Sequence, residues 1–360
     1  MVRVGIIGAT GYVGGELLRI LKIHPSVEKI HAFSRTEEGK PVSMIHKNLK
    51  NLFDEPFEKY SPNNIVDSID LLFTAVPHGT AMEIVPEILE MGIKVIDMSA
   101  DYRLPPEKFE KWYGIKHKPL PSKFTPVYGL PEMYRKEIKK TQIVAVPGCY
   151  ATGAILATLP LVRNHAVHTQ KIVITAMSGT SGAGSKPSEF LHHPEVYNNA
   201  KPYSVMSHRH IPEIENVLSD ASKENVKIGF VPVLVPMVRG ILTVVNVFPL
   251  KEKEGNSFLE MYQDNYGQEP FIRLIIEEEK MVDGSMKRKV GGFPYTANVI
   301  GTNFCDISLK NDERTNQIAV ISAIDNLIKG AAGQAIQCMN IMLKIKEKEG
   351  LNKLVGAHPW

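Results

Sequence analysis

Apolar residues cluster in short runs over the first 150 positions, VRVGIIG, KIHAFS, IDLLFTAV, KVIDMSA and QIVAVPG, each giving way to Gly, Ser or Pro. Such runs predict buried strands that end in loops. Between them lie stretches with helical spacing: GELLRILKIHP sets Leu17, Leu18 and Leu21 on one face before Pro25 stops it, and GTAMEIVPEILEMG is a second such stretch. Strands separated by helices are the pattern of a doubly wound parallel sheet.

After residue 150 the rhythm changes. KIVITAMS, VKIGFVPVLVP and GILTVVNVFPL follow one another with little helix between some of them, which predicts an antiparallel or mixed sheet. The segment from Gln317 to about Lys348 is rich in Ala, Ile and Leu and reads as helix packing back onto the first domain. The expected fold class is α/β, with an N-terminal Rossmann sheet over residues 1–148, completed by a C-terminal helix at about 317–348. An α+β catalytic and substrate domain with a mixed sheet is expected over 149–316.

Composition narrows the classes. A chain of 360 residues exceeds what one core organises, so two domains are expected. No run approaches the roughly 20 apolar residues of a membrane span, and the first residues lack the apolar core and cleavage site of a signal peptide. A cytoplasmic protein without a membrane anchor is expected. A net charge of +3 is too weak for a nucleic-acid footprint, and the run Lys287, Arg288, Lys289 reads as solvated loop charge. Three cysteines with no CxxC pair argue against both disulfides and a cysteine-rich zinc site.

Three constellations carry chemistry. In GATGYVGG, Gly8, Gly11 and Gly14 stand three apart between a strand and a helix. Glycine permits the tight turn and close approach of a pyrophosphate, whose charge rests on the free N–H groups of the helix start. At the end of the second strand, where an acid would bond the ribose 2′-hydroxyl of NAD, stand Ser34, Arg35 and Thr36. Two hydroxyls and a guanidinium suit a 2′-phosphate, so NADP (NADPH) is the expected cofactor.

The second constellation is AVPGCYATG, which places Cys149 in the first turn of a helix, where free N–H groups and the helix dipole favour a thiolate. Cys305, on an alternating strand pattern, and Cys338, inside a helical stretch, read instead as buried core. The third is SHRHIPEIE. In an extended segment His208 and His210 would share a side opposite Arg209, and Pro212 and Glu213 predict a helix starting just after His210. A His-x-His pair also suits a metal, but no further ligand stands at matching local spacing, so no metal is expected. Tyr197 and Lys201 match the Tyr-x-x-x-Lys spacing of short-chain dehydrogenases, yet two asparagines and Pro202 contradict the helix that pair requires.

A thiol with a histidine also fits a cysteine hydrolase, which needs no dinucleotide turn. Together with that turn, the residues point to hydride transfer at a thioester. Cys149 would attack an activated acyl group, backbone N–H groups at the helix start would hold the oxyanion, and His210 would shuttle the proton.

With GATGYVGG, SADYRL, VYGLPE, PGCYATG, SHRHIPEIE, VPMVRGI and DNLIKGAAGQAIQ in order, the chain resembles the N-acetyl-γ-glutamyl-phosphate reductase family over nearly its whole length. The resemblance implies NADP-dependent reduction of an acyl phosphate to a semialdehyde, in arginine biosynthesis, on a fold like that of glyceraldehyde-phosphate dehydrogenase. It implies Cys149 as nucleophile, His210 as acid-base residue, and Thr10, Gly11, Tyr12 and Val13 with Gly8 as the diphosphate turn. Ser34 to Thr36 would form the adenosine phosphate region, and Asn326 would lie near the nicotinamide. Arg103, Arg209 and Arg239 are candidate anchors for phosphate or substrate carboxylate. The family includes a branch whose glutamyl or aminoadipyl substrate rides on a small acidic carrier protein in lysine and arginine synthesis. The ending GLNKLVGAHPW and the KRK run lean toward that branch. The resemblance also suggests a homo-oligomer, dimer or tetramer, joined through the second domain. An aspartate-semialdehyde dehydrogenase and a non-catalytic nicotinamide sensor are the alternatives.

Overall fold

The computed structural model describes residues 1–65, 68–250, 257–280 and 286–356, by backbone alone at 63–64, 277–280 and 286–290. The chain divides into two compact units, Met1–Gly148 with Ala331–Val355, and Cys149–Gly330 with Gly356.

The first unit is built on six strands: β1 (Val2–Ile7), β2 (Val27–Phe33), β3 (Leu71–Thr74), β4 (Lys94–Asp97), β5 (Val127–Tyr128) and β6 (Ile143–Ala145). Their order is β2-β1-β3-β4-β6-β5, and every pairing is parallel. The order reverses at β1, which has β2 on one side and β3 on the other. Such a switch point leaves a crevice at the carboxyl ends of the strands, and Gly8 stands there. Residues of β3 are wholly buried, as a strand covered on both faces requires. The helix Tyr12–Lys22 buries Leu17, Leu18 and Leu21, and Ala81–Glu90 buries Ala81, Val85, Ile88 and Leu89.

The second unit carries β7 (Ile172–Ser178), β8 (Lys201–Pro202), β9 (Ile228–Leu234), β10 (Ile241–Val247), β11 (Ile272–Leu274), β12 (Ile276–Lys280), β13 (Met286–Val290), β14 (Cys305–Asp312) and β15 (Gln317–Ile324). Seven of these form a mixed sheet in the order β11-β14-β15-β10-β7-β9-β8, while β12 and β13 form a hairpin. Along β7 and β10 buried and less buried residues alternate strictly, so one face of the sheet is core. The helix Cys149–Arg163 lies on that face, where the Ser322 hydroxyl donates to the Gly153 carbonyl at 3.0 Å. The other face presents Val173, Met177, Val231, Val233, Leu242 and Val244, none of them fully buried.

Two expectations are corrected. Gln317–Ile324 is a strand, not the start of a long helix. Ile318 and Val320 are buried between the partly exposed Gln317, Ala319 and Ile321, a period of two that the fully buried 322–324 obscures in the sequence. The helix assigned to the first unit is Gly333–Met342, which follows a π-helical turn at Ile328–Ala332. Lys287, Arg288 and Lys289 lie on β13 rather than in a loop, in register with Glu279, Glu278 and Glu277 of β12.

Candidate active site

Cys149 is the first residue of its helix and is partly exposed, whereas Cys305 and Cys338 are buried. From Tyr150 to Val162 every residue of this helix is buried, so the thiol sits on a rigid support. Pro160 removes the N–H that would have bonded the Leu156 carbonyl. The Tyr266 hydroxyl replaces it, donating to Leu156 O at 2.7 Å, and Tyr262 donates to Ala157 O at 2.5 Å.

The turn after β8 brings SHRH beside this helix. Its residues form turns rather than an extended segment, which corrects the expected alternation, and His210 becomes the N-cap residue of the helix Ile211–Ser222. The two imidazoles nevertheless stand together, with ring centroids 4.7 Å apart at 75°. His208 Nδ1 accepts the His210 backbone N–H at 3.2 Å, which fixes the turn. Tyr150, next to Cys149, places its ring 5.4 Å from His208 and 6.0 Å from His210. The Tyr203 hydroxyl donates to that of Tyr150 at 2.9 Å. Tyr150, Tyr203 and the two histidines therefore form one cluster beside the start of the helix that Cys149 opens, and the sequence pattern gave no reason to include the two tyrosines.

Burial shapes the electrostatics of the cluster. It lowers the His208 pKa to about 4, with the Arg209 charge adding to the effect, so this ring is neutral at pH 7. Burial raises the Tyr203 phenol to about 12 and the Tyr150 phenol further, and negative charge at Cys149 pushes both the same way. Both hydroxyls therefore stay protonated.

Behind Cys149 lies a buried polar knot. Asn326 accepts the Gly240 N–H at 2.7 Å and donates to Ser181 Oγ at 3.0 Å. Its amide thus joins the loops that follow β7 and precede β10. Arg239 is half-buried and ion-paired with the fully buried Asp325 at 2.9 Å. Arg209 is exposed, between the two histidines in sequence.

The remaining predicted residues belong to the first unit. Gly8 has φ +85°, and a Cβ there would lie 2.1 Å from Ala75 O, so the turn between β1 and β3 admits only glycine. Gly11 is the N-cap of Tyr12–Lys22 and offers no side-chain cap, while Gly14 packs so tightly that a Cβ would stand 2.5 Å from Gly8 O. Thr10 and Val13 are partly exposed and Tyr12 exposed. An uncapped helix start at the switch point of a parallel sheet fits a diphosphate. Ser34 is buried, accepting the N–H groups of Thr36 and Glu37 at 3.3 and 3.1 Å, and Arg35 and Thr36 are exposed beside it. This donor set fits an adenosine 2′-phosphate. Arg103 donates to the Met98 carbonyl at 2.8 Å, bracing its own loop. Tyr197 and Lys201 lie off any common helix. Among the described residues no cluster of His, Cys, Asp or Glu could hold a metal ion, and no helix is long and apolar enough to cross a membrane.

The family model described as semialdehyde dehydrogenase, NAD binding domain, matches residues 3–141, and the one described as semialdehyde dehydrogenase, dimerisation domain, matches 149–326. The chain is 45% identical over 358 residues to an N-acetyl-gamma-glutamyl-phosphate reductase of Methanothrix thermoacetophila, covering 98% of both. It is 45% identical over 362 residues to one of Methanocaldococcus jannaschii, covering 100% of both. Among solved structures it is similar to aspartate semialdehyde dehydrogenase II of Vibrio cholerae, with a TM-score of 0.69 at 17% identity over 96% of this chain and 98% of that one. The aspartate semialdehyde dehydrogenase of Candida albicans solved with NADP gives a TM-score of 0.64 at 16% identity, covering 96% and 98%. At such identities these structures speak for the fold alone.

Proposed function

The chain belongs to the N-acetyl-γ-glutamyl-phosphate reductase family, and on that premise we propose that it reduces N-acetyl-γ-glutamyl phosphate to the semialdehyde through a thioester on Cys149. It is an oxidoreductase of the phosphorylating semialdehyde type, acting in arginine biosynthesis. The observation that supports the mechanism is a partly exposed thiol at a helix start whose next residue, Tyr150, lies against the ring of His210.

His210 takes the thiol proton, and the sulfur of Cys149 attacks the acyl carbon. The C–S bond forms, backbone N–H groups at the helix start hold the oxyanion, and the bond to phosphate breaks. His210 returns its proton to the departing phosphate oxygen, which balances the charge. NADPH, when bound, supplies the hydride that reduces the acyl carbon. The C–S bond then breaks, giving the aldehyde and the Cys149 thiolate. Gly8, Thr10, Gly11, Tyr12 and Val13 would bind the diphosphate, with Ser34, Arg35 and Thr36 on the 2′-phosphate. Arg239 and Arg209 would anchor the anionic ends of the substrate.

The acetylated substrate is preferred over a carrier-bound one. The carrier reading leaned on the KRK run and the chain's ending. The run belongs to a strand in register with a run of three glutamates rather than to a free loop, and Ala357–Trp360 lie outside the described residues. A second copy of the chain is the expected partner, seated on the half-exposed apolar face of the mixed sheet, in the region matched by the dimerisation model. The reaction belongs in the cytoplasm, where three free thiols stay reduced.

The test is phosphate-dependent reduction of NADP with N-acetylglutamate semialdehyde, assayed against aspartate semialdehyde and with NAD in parallel. Cys149→Ser should abolish turnover and keep cofactor binding. Unchanged turnover in that variant would refute the thioester, and preference for aspartate semialdehyde would refute the substrate.

A further inference from the structure

In the buried knot behind the nucleophile, one carboxylate does more than balance a charge. Asp325 is 0% exposed. Its Oδ1 accepts the N–H groups of Leu327 and Ile328 at 2.8 and 3.3 Å, which caps the turn opening the π-helical segment. Its Oδ2 accepts the Gly301 N–H at 2.7 Å and lies 2.9 Å from Arg239 Nη2. Its backbone carbonyl accepts the Gly330 N–H at 2.9 Å. Gly330 in turn touches the nucleophile, since a Cβ there would stand 2.8 Å from Cys149 Cβ. One residue thus holds both the guanidinium and the turn against which Cys149 rests.

We propose that Asp325 is a positioning residue for the reaction: its carboxylate aims Arg239 at the substrate's anionic group while its turn seats Gly330 against Cys149. This rests on the reading of Arg239 as an anchor. The physical grounds are geometric. A guanidinium binds an anion well only when its fork is oriented, and a buried carboxylate held by three backbone N–H groups is a fixed point from which to orient it. Oδ2 of Asp325 accepts the Gly301 N–H and is ion-paired with Arg239, so turning the guanidinium away would leave a buried charge poorly compensated.

The experiment is a double-mutant cycle of D325N and R239Q in the full-length protein, with kcat and KM measured separately for phosphate and for semialdehyde in the oxidative direction. In D325N the amide either presents hydrogens to the guanidinium or turns them on the backbone N–H groups. The KM for one of the two anions should rise by roughly 10- to 100-fold, the loss of one aimed charged contact, with kcat falling less. In the R239Q background the same substitution should change that KM by less than about threefold, because its effect passes through Arg239. A KM within twofold of the parent in D325N, or an undiminished effect in R239Q, would overturn the proposal in favour of a purely structural carboxylate. Should D325N not fold, D325E enters the same cycle with the same criteria. No turnover in the unsubstituted protein would refute the functional reading itself, and this role with it.

Discussion

Gly330 has a side chain of one hydrogen for a reason that can be measured. Its φ is not positive, so the backbone there tolerates alanine and any effect of Gly330→Ala comes from the added methyl group. That methyl would stand 2.8 Å from Cys149 Cβ, where ordinary contact begins at 3.4 Å, so something must move by about 0.6 Å. Neither side yields easily. Cys149 opens a helix buried along its length, and Gly330 is tied to Asp325. Misplacing a reacting group by about 1 Å costs on the order of 100-fold. A shift of about 0.6 Å is accordingly expected to lower kcat by roughly 10- to 100-fold, with KM changing less. Overpacking of this kind also destabilises by about 1–3 kcal/mol, a drop of a few degrees in Tm. Steady-state kinetics, the rate of Cys149 alkylation by iodoacetamide and thermal unfolding together separate the two effects. A folded variant whose kcat stays within twofold of the parent would show that this contact does not set the position of the sulfur.

Acid should weaken the second unit through His208. Its pKa falls from 6.5 to about 4 on folding, so its contribution is present above pH 6.5 and is lost as pH falls through about 4, on the order of 3 kcal/mol in all. Asp97, in the first unit, acts in the opposite sense. Burial raises its pKa from 3.8 to about 6, so its contribution is present below 3.8 and lost as pH rises through about 6. The difference in unfolding free energy between the parent and His208→Gln, followed from pH 7 to 4, cancels the Asp97 contribution and should shrink steadily; a difference independent of pH would refute it. Tyr266→Phe should leave the Leu156 carbonyl unpaired at about 1–3 kcal/mol, read by chemical denaturation, and restoring the N–H with Pro160→Ala in that background should recover part of the loss. Additive effects of the two substitutions would refute the pairing.

The parallel sheet was legible because its strands are continuous apolar runs that give way to Gly, Ser or Pro, and the turn at Gly8 because glycines stand three apart where, as the structure shows, a backbone close to Ala75 O can carry no side chain. The place of Cys149 at a helix start was legible from Pro-Gly before it, and that of His210 just ahead of a helix from the Pro and Glu that open it. What was hidden depends on partners distant in sequence. The strand Gln317–Ile324 looked helical because its last three residues are buried on both sides, and period is lost where nothing is exposed. The KRK run looked like a loop because the strand it is in register with is separate from it in sequence. Asn326 was singled out and Asp325, one residue earlier, was not, although an aspartate two and three residues ahead of backbone N–H groups is a local turn signal. Its pairing with Arg239, 86 positions upstream in chain order, leaves no local trace.

The hydroxyl of Tyr266 that fills the gap left by Pro160 has a consequence for inheritance. Neither residue is advantageous without the other, because an imino acid alone strands a carbonyl and a phenol alone loses an acceptor. Lineages should therefore exchange the two positions together, or pass through a weakened intermediate, so descent at residue 160 is expected to be tied to descent at residue 266, on a helix that does not contain it.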